Sequence, residues 1–316
     1  MEIIVSINTQ KIDQTELLRM ADLGATIVRL NGAHLDPNVL PSVIAAIRDK
    51  GKDRFRIMLD LPGNKIRTCG IQAPIALQVG QTFQLYPQNF SYPGFIGLLK
   101  EGDLLTSQDG RLHMRVDQLE GECVTLRALS QGTLDNNRGV HRTGGSPTGM
   151  PFLLEKDHEL IRLAKELPID ILAISYVRST DDIGQIEKIL GGSRLTPLYK
   201  IETREAIEQL DAILGRVQRI LIDRGDLSSE IGLVQFPDVF NRILDRCRPA
   251  GKEVFVATQL FASMIEHNRP FISEVMEFDR LVKMDIRGIQ LSDETAIGHY
   301  PMEVLEFIAE MVRARP

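Results

Sequence analysis

Two rhythms of apolar and polar positions run along the chain. Short, largely β-branched apolar runs recur as EIIVSI (2–7), TIVRLN (26–31), FRIMLD (55–60), DILAIS (170–175), PLYKIE (197–202), RILIDR (219–224), EVFVAT (253–258) and RGIQLS (287–292), eight in all. Continuous runs of this kind predict strands buried on both faces, where a half-exposed strand would alternate strictly. Between most of them the apolar positions follow a helical period, as in QTELLRMADLG (14–24), DVFNRILDRC (238–247), FISEVMEFDRLVKM (271–284) and MEVLEFIAEMV (302–312). Gly24 supplies a helix stop. Strands alternating with helices predict a parallel sheet, and eight such units in one α/β chain predict a (β/α)8 TIM barrel.

The third unit is interrupted. Between about residues 68 and 152 the helical period vanishes, and FQLYPQ (83–88), DLLTSQDGRLHMRV (103–116) and ECVTLRAL (122–129) read as short alternating strands. Asn136-Asn137 and Gly144-Gly145 mark loops. The expected organisation is therefore a barrel domain, residues 1–67 and 153–316, with a small β-rich lid domain, residues 68–152, inserted after strand three. Loops at that end of a barrel carry active sites, so a domain hung there can cover one.

Polar residues gather where the strands finish. Arg29 and Asn31 close strand two, Asp60 strand three, Ser175 strand four, Lys200 and Glu202 strand five, Thr258 strand seven and Ser292 with Glu294 strand eight, while strand six runs into Arg224, Gly225 and Asp226. Lys200 and Glu202 stand two apart, so an extended chain points both to one face. Taken alone, such a pair fits a salt bridge at a frayed strand end as well as it fits a site. Seven strands ending this way favour a site at the carboxyl end of the barrel. Glu202 and Asp226 are hard oxygen donors suited to Mg²⁺ or Mn²⁺. The turn at Gly225-Asp226 would offer backbone N–H groups to a carboxylate or phosphate, and Lys200 and Arg29 add positive charge. A small, doubly anionic substrate clamped on a divalent cation is the chemistry this set suits.

Bulk properties narrow the partners. With a net charge of −6 and no basic tract, no nucleic-acid partner is expected. No apolar run reaches the 18 or so residues of a membrane span. The N-terminal MEIIVSINTQ lacks signal-peptide features, and Cys69, Cys123 and Cys247 have no metal-binding spacing, so a reducing, cytoplasmic compartment is expected. His113, His141, His158, His267 and His299 are scattered and read as surface or helix positions.

The stretches IVRLNGAH (27–34), LDLPGNKIRT (59–68), QDG (108–110), EKD (155–157), ISYVR (174–178), KIETREA (200–206), DRGDLSSEIG (223–232), AGKEVFVATQLFASMI (250–265) and LSDETAIGHYP (291–301), in this order, resemble the pyruvate kinase family over essentially the whole chain. The resemblance implies divalent-metal-dependent, glycolytic transfer of the phosphoryl group of phosphoenolpyruvate to ADP, giving pyruvate and ATP. It implies Glu202 and Asp226 as Mg²⁺ or Mn²⁺ ligands, and Lys200 as the group that stabilises the enolate and the phosphoryl in flight. Arg29 would bind phosphate. Thr258 would lie beside the substrate carboxylate near the proton route, with Gly225 and Asp226 offering that carboxylate N–H groups and Ser175 completing the substrate site. Arg67, His34 and Arg138 would face the nucleotide. Asp109 resembles a lid acid that meets the nucleotide metal, though a plain turn before Gly110 fits it equally well. A dimer or tetramer is implied as well.

Departures from the family pattern matter. Asn31 and Asp60 remain of a monovalent-cation site, but Ala33 and Leu61 replace its Ser and Thr and Lys65 stands where many members have Glu. This resembles the K⁺-independent branch, so no K⁺ requirement is expected. At the nucleotide end the family's GPAS turn reads Asn8-Thr9-Gln10-Lys11, a lysine is Pro62, the GVNLPG hinge reads GVHRTG, and a further lysine is Ile297. The chain stops at MVRARP after the eighth helix, where many members continue into an effector-binding domain. Two alternatives therefore stay open: a lyase, aldolase-like enzyme or transferase that uses a metal-stabilised pyruvate enolate without nucleotide, and a non-catalytic phosphoenolpyruvate sensor.

Overall fold

The computed structural model describes residues 1–108, 110–143 and 149–314; Asp109 and the Gly144-Gly145 loop therefore lie outside the described residues. Strands β1 (Glu2–Ser6), β2 (Ile27–Asn31) and β3 (Arg56–Asp60) open the chain. Eight short strands follow: β4 (Ile66–Arg67), β5 (Ile75–Leu77), β6 (Thr82–Leu85), β7 (Leu104–Ser107), β8 (Leu112–Glu120), β9 (Cys123–Ala128), β10 (Gly132–Leu134) and β11 (Gly139–Arg142). The last five are β12 (Ile171–Ile174), β13 (Thr196–Ile201), β14 (Arg219–Asp223), β15 (Glu253–Ala257) and β16 (Gly288–Leu291).

The first three and last five strands close a barrel in the order β1-β16-β15-β14-β13-β12-β3-β2, every pairing parallel. All eight apolar runs thus become barrel strands. The barrel interior is filled by Ile4, Ile27, Met58, Ile171, Ala173, Leu198, Leu221, Phe255 and Ala257. The opposite faces of the same strands, such as Val5, Val28, Leu59, Leu172, Tyr199, Ile222 and Val256, join a larger core beneath the helices. Both faces being dry is why these runs are continuously apolar. Each such side chain, fully buried, contributes about 1.5–3 kcal/mol. Helices such as Gln14–Asp22, Thr180–Leu190, Phe236–Cys247, Ile272–Lys283 and Pro301–Arg313 form the outer layer. Asp13 caps the first by accepting from Glu16 N at 2.9 Å, and Gly24, at φ +100°, takes the left-handed position beyond its end. Among the described residues no helix is long and apolar enough to cross a membrane.

Strands β4 to β11 belong to a separate layer: a six-stranded antiparallel sheet, β4-β11-β7-β8-β9-β6, and a two-stranded one, β10-β5. They have their own core, in which Phe90 packs edge-on against Phe95 at 5.1 Å among Leu85, Leu105, Met114 and Val124. Pairing of this layer begins at Ile66 and Arg67, which lie opposite Val140 and Gly139.

Among the described residues, three just past the ends of barrel strands carry left-handed backbone: Tyr176 (φ 57°), Thr258 (φ 67°) and Gln259 (φ 53°). Such angles are uncommon outside glycine and cost energy unless surrounding contacts impose them. Buried Arg224 does so at Thr258, donating from Nε (2.9 Å) and Nη2 (2.6 Å) to its carbonyl oxygen. One glycine is required for the barrel itself. A Cβ on Gly288 would stand 2.6 Å from the Glu2 carbonyl and 2.7 Å from Phe255 Cε1. Gly288→Ala is expected to lower stability by about 1–3 kcal/mol, as overpacking does; urea unfolding measures it, and an unchanged midpoint would show that the barrel yields there.

Candidate active site

The site grows out of one strand end. Lys200, on β13, is 4% exposed, and its ammonium lies 3.2 Å from Glu202 Oε2, 3.2 Å from Asp223 Oδ2 and 3.7 Å from Asp60 Oδ1. It also donates to Ser175 Oγ at 3.2 Å, and that hydroxyl donates onward to Asp60 Oδ1 at 3.3 Å. The two-residue spacing of Lys200 and Glu202 therefore yields a buried pair, where a frayed end would leave an exposed one. Glu202 is fully buried; the Tyr176 amide donates to its Oε1 at 2.7 Å, which accounts for the left-handed turn at Tyr176.

Arg29 crosses the barrel mouth. Its Nε donates to Asp60 Oδ2 at 2.7 Å, and its Nη1 to Ser6 Oγ at 2.9 Å. Asp60 thus neutralises both Arg29 and part of Lys200. Lys65 is ion-paired with Asp226 Oδ1, and Asn31 Oδ1 accepts from the Ala33 amide at 3.1 Å. Of the expected monovalent-site remnant, then, Asp60 and Asn31 are occupied by other partners, and the Lys65 ammonium sits on Asp226.

The stretch after β14 differs from its expected form. The helix begins at Arg224 and runs to Ile231, so Gly225 and Asp226 lie in its first turn. The Gly225 N–H donates to Thr258 Oγ1 at 2.9 Å, and is engaged there, where the sequence suggested it would be free for a substrate carboxylate. Thr258 Oγ1 in turn lies 2.7 Å from the Ala257 carbonyl and 3.3 Å from Asp223 Oδ1.

These groups surround a cavity of about 290 Å³, lined by Arg29, Asn31, Asp60, Lys65, Arg67, Ser175, Lys200, Asp223, Gly225, Asp226, Thr258 and Glu294 among others. Two of the expected nucleotide-facing residues fall outside the lining. Arg138 is exposed in the turn before β11, where its backbone pairs with Thr68. His34 stands exposed at the rim. Partial burial, then the charges of Arg67, Lys156 and Arg29, hold its pKa below the usual imidazole value.

Three residues were not singled out from the sequence. Asp223 reads as an unremarked member of the run RILIDR (219–224), yet it is 5% exposed in the ring around Lys200. Lys156, within the EKD stretch, reaches the Ala33 carbonyl at 3.2 Å, and its charge is felt at His34; burial lowers its pKa. His141, expected at a surface or helix position, is instead buried on β11, with Nε2 3.8 Å from Asp226 Oδ1 and Nδ1 3.5 Å from Glu230 Oε1. Only the inserted layer's docking onto the helix Arg224–Ile231 brings it there, and no local pattern encodes that. The other scattered histidines, His113, His158, His267 and His299, are exposed.

Charge crowding shapes the titration of the cluster. Burial alone would push the Lys200 ammonium down, but Asp60, Glu202, Asp223 and Asp226 outweigh it and hold its pKa above the ordinary lysine value. Burial pushes Glu202 up to about 8, against the pull of Lys200 and with Asp226 and Asp223 adding to the rise. Asp226 moves the other way: burial would raise it, but Lys65, His141 and Lys200 hold it well below the usual carboxylate range.

The residues fit a hard divalent cation. Ligand atoms of Glu202, Asp223 and Asp226 lie within 4.8 Å of one another, all are carboxylate oxygens, and among the described residues buried Glu202 Oε2 accepts no hydrogen bond, with the Lys200 ammonium 3.2 Å from it.

Known proteins resemble this chain over most of its length. A family model described as pyruvate kinase, barrel domain, matches residues 1–305. The chain is 28% identical to the pyruvate kinase of Borreliella burgdorferi over 323 residues, covering 99% of this chain and 67% of that protein. It is 30% identical to the pyruvate kinase of Dictyostelium discoideum over 334 residues (99% and 65%), and 29% identical to that of Mycobacterium intracellulare over 313 residues (94% and 66%). The chain thus spans about two thirds of the length of these curated relatives.

The raised Glu202 pKa has a consequence for stability. Its carboxyl is held near 8 in the fold against an ordinary 4.5, so the folded state binds the proton more tightly, and the associated stability is present below about 4.5 and lost as pH rises through about 8. Thermal melting of metal-free protein between pH 5 and 8.5 is expected to fall more steeply for the wild type than for Glu202→Gln. Parallel curves for the two proteins would contradict the assignment.

Proposed function

The chain belongs to the pyruvate kinase family, and on that footing we propose that it is a divalent-metal-dependent phosphotransferase moving the phosphoryl group of phosphoenolpyruvate to ADP. The observation that carries the reading is the convergence of Lys200 and Asp226 in a cavity that Arg29 and Arg67 also line, with Glu202 buried directly against Lys200. Glu202 and Asp226 would hold Mg²⁺ or Mn²⁺; bound there, such an ion supplies charge neutralisation for the substrate's oxygens.

The residues divide the remaining work. Arg29, locked by Asp60 and Ser6, is pre-oriented for the phosphoryl oxygens and loses little freedom on binding them. Arg67 and Lys156 extend this positive surface toward the rim, where a nucleoside diphosphate would approach. As the enol-phosphate P–O bond breaks and an ADP oxygen takes the phosphoryl group, negative charge collects on the enolate oxygen. A Lys200 ammonium with a raised pKa stays protonated there and stabilises it. The enolate carbon then takes a proton, and the Thr258 hydroxyl, beside Asp223, is the chain's nearest candidate to pass it. Residues 68–152 would act as the lid, with His141 as its contact to the helix that bears Asp226. Asp60 is already paired with Arg29, and Lys65 adds a fixed ammonium, which supports turnover without K⁺. Exposed Leu233, Val234, Phe271 and Ile272 offer apolar surface for the expected homo-oligomer.

A second reading keeps the enolate chemistry and drops the nucleotide. It is favoured by the outward position of Arg138. Coupled assay with phosphoenolpyruvate, ADP and Mg²⁺ is expected to give ATP, and Lys200→Ala to lower kcat about 10²–10³-fold while Mn²⁺ still binds. Exchange of pyruvate methyl protons with deuterium, without any ADP binding, would transfer the assignment to the second reading; normal turnover by Lys200→Ala would refute both.

A further inference from the structure

Glu202 and Asp226 alone would give a cation two protein carboxylates. The same pocket holds more acid than that. Asp60, Asp223 and Asp226 line it and Glu202 lies fully buried against Lys200; among the described residues, only the Arg29, Lys65 and Lys200 cations lie within ion-pair distance of these four carboxyls, besides the His141 ring. Arg29 is committed to Asp60 and Lys65 to Asp226, so Lys200 is left shared among Glu202, Asp223 and Asp60. Four carboxyls in so dry a place are costly to ionise unless a proton stays on one of them or a counter-ion joins them.

Asp223 is the member placed to use that ion. It ends β14, three residues before Asp226, and is 5% exposed. Each of its oxygens has one partner, Lys200 Nζ at 3.2 Å from Oδ2 and Thr258 Oγ1 at 3.3 Å from Oδ1, and a carboxylate oxygen can accept more than one. It has a ligand atom within 4.8 Å of those of both Glu202 and Asp226. Independently of this grouping, fully buried Glu202 Oε2 has no hydrogen-bond partner among the described residues; Lys200 Nζ stands beside it at 3.2 Å, which leaves it lone-pair capacity for an ion.

Resting on the metal-dependent reading above, we propose that Asp223 is a third carboxylate ligand, so that this chain binds its divalent cation before any substrate arrives. In the ion-free protein Lys200 and Lys65 hold the carboxylates together by standing beside them. With the ion bound, the surplus acid is neutralised and the pocket becomes positive, which suits an anionic substrate. Affinity for hard cations follows the number of charged ligands, so the third carboxylate is read directly in substrate-free binding.

Mn²⁺ titration of the substrate-free protein, followed by electron paramagnetic resonance and water-proton relaxation, tests this. The wild type is expected to bind one Mn²⁺. Asp223→Ala is expected to bind it at least about tenfold more weakly, with about one more inner-sphere water in place of the lost oxygen. Asp223→Asn, which keeps the shape, serves if the alanine variant melts early, and is expected to weaken binding as well. Unchanged affinity, or weaker binding with unchanged hydration, would overturn the role of Asp223 as a ligand. A wild type that takes up no Mn²⁺ at all would instead remove the metal-dependent reading on which the proposal rests.

Discussion

A single ammonium organises the carboxyl end of this barrel. Lys200 Nζ stands at 3.2 Å from Glu202 and Asp223 and at 3.7 Å from Asp60, in a place where none of the four could keep its charge alone. Four strand ends, β3, β13, β14 and, through Ser175, β12, are tied to it. Remove the ammonium and three buried carboxylates face each other unscreened; remove the carboxylates and a lysine is stranded in a dry core. Mutual dependence of this kind is poor economy for stability alone, since apolar side chains of the same size would serve as well. It is what a site looks like when charge has to be held ready for a reaction.

The barrel around this cluster was legible in the chain because burial on both faces leaves a strong signal. Each of the eight apolar runs became a strand, and the helical stretches between them, with caps such as Asp13 and Gly24, became the outer layer. The inserted layer was legible by default, as a region where the helical period stops. That Lys200, Glu202, Arg29 and Asp60 would meet could be read because polar residues at the ends of buried strands contradict their surroundings.

What stayed hidden was whatever depends on packing between distant segments. Asp223 lay unremarked in the run RILIDR (219–224), and only the closed barrel shows that its side chain faces Lys200. His141 sits on β11 of the inserted sheet, and its approach to Asp226 follows from how that sheet docks on the helix Arg224–Ile231. The left-handed turns at Tyr176 and Thr258 are paid for by the Glu202 carboxylate and the Arg224 guanidinium, neither of them local in the turn's own sequence pattern. The engagement of the Gly225 amide by Thr258 is a further consequence of where β14 and β15 finish.

Anomalous diffraction from crystals grown with Mn²⁺ tests the central claim most directly. One strong peak within coordination distance of Glu202 and Asp226, beside the Lys200 ammonium, is the predicted result. A map with no peak there, or with Lys200 still closing that space at saturating Mn²⁺, would contradict it.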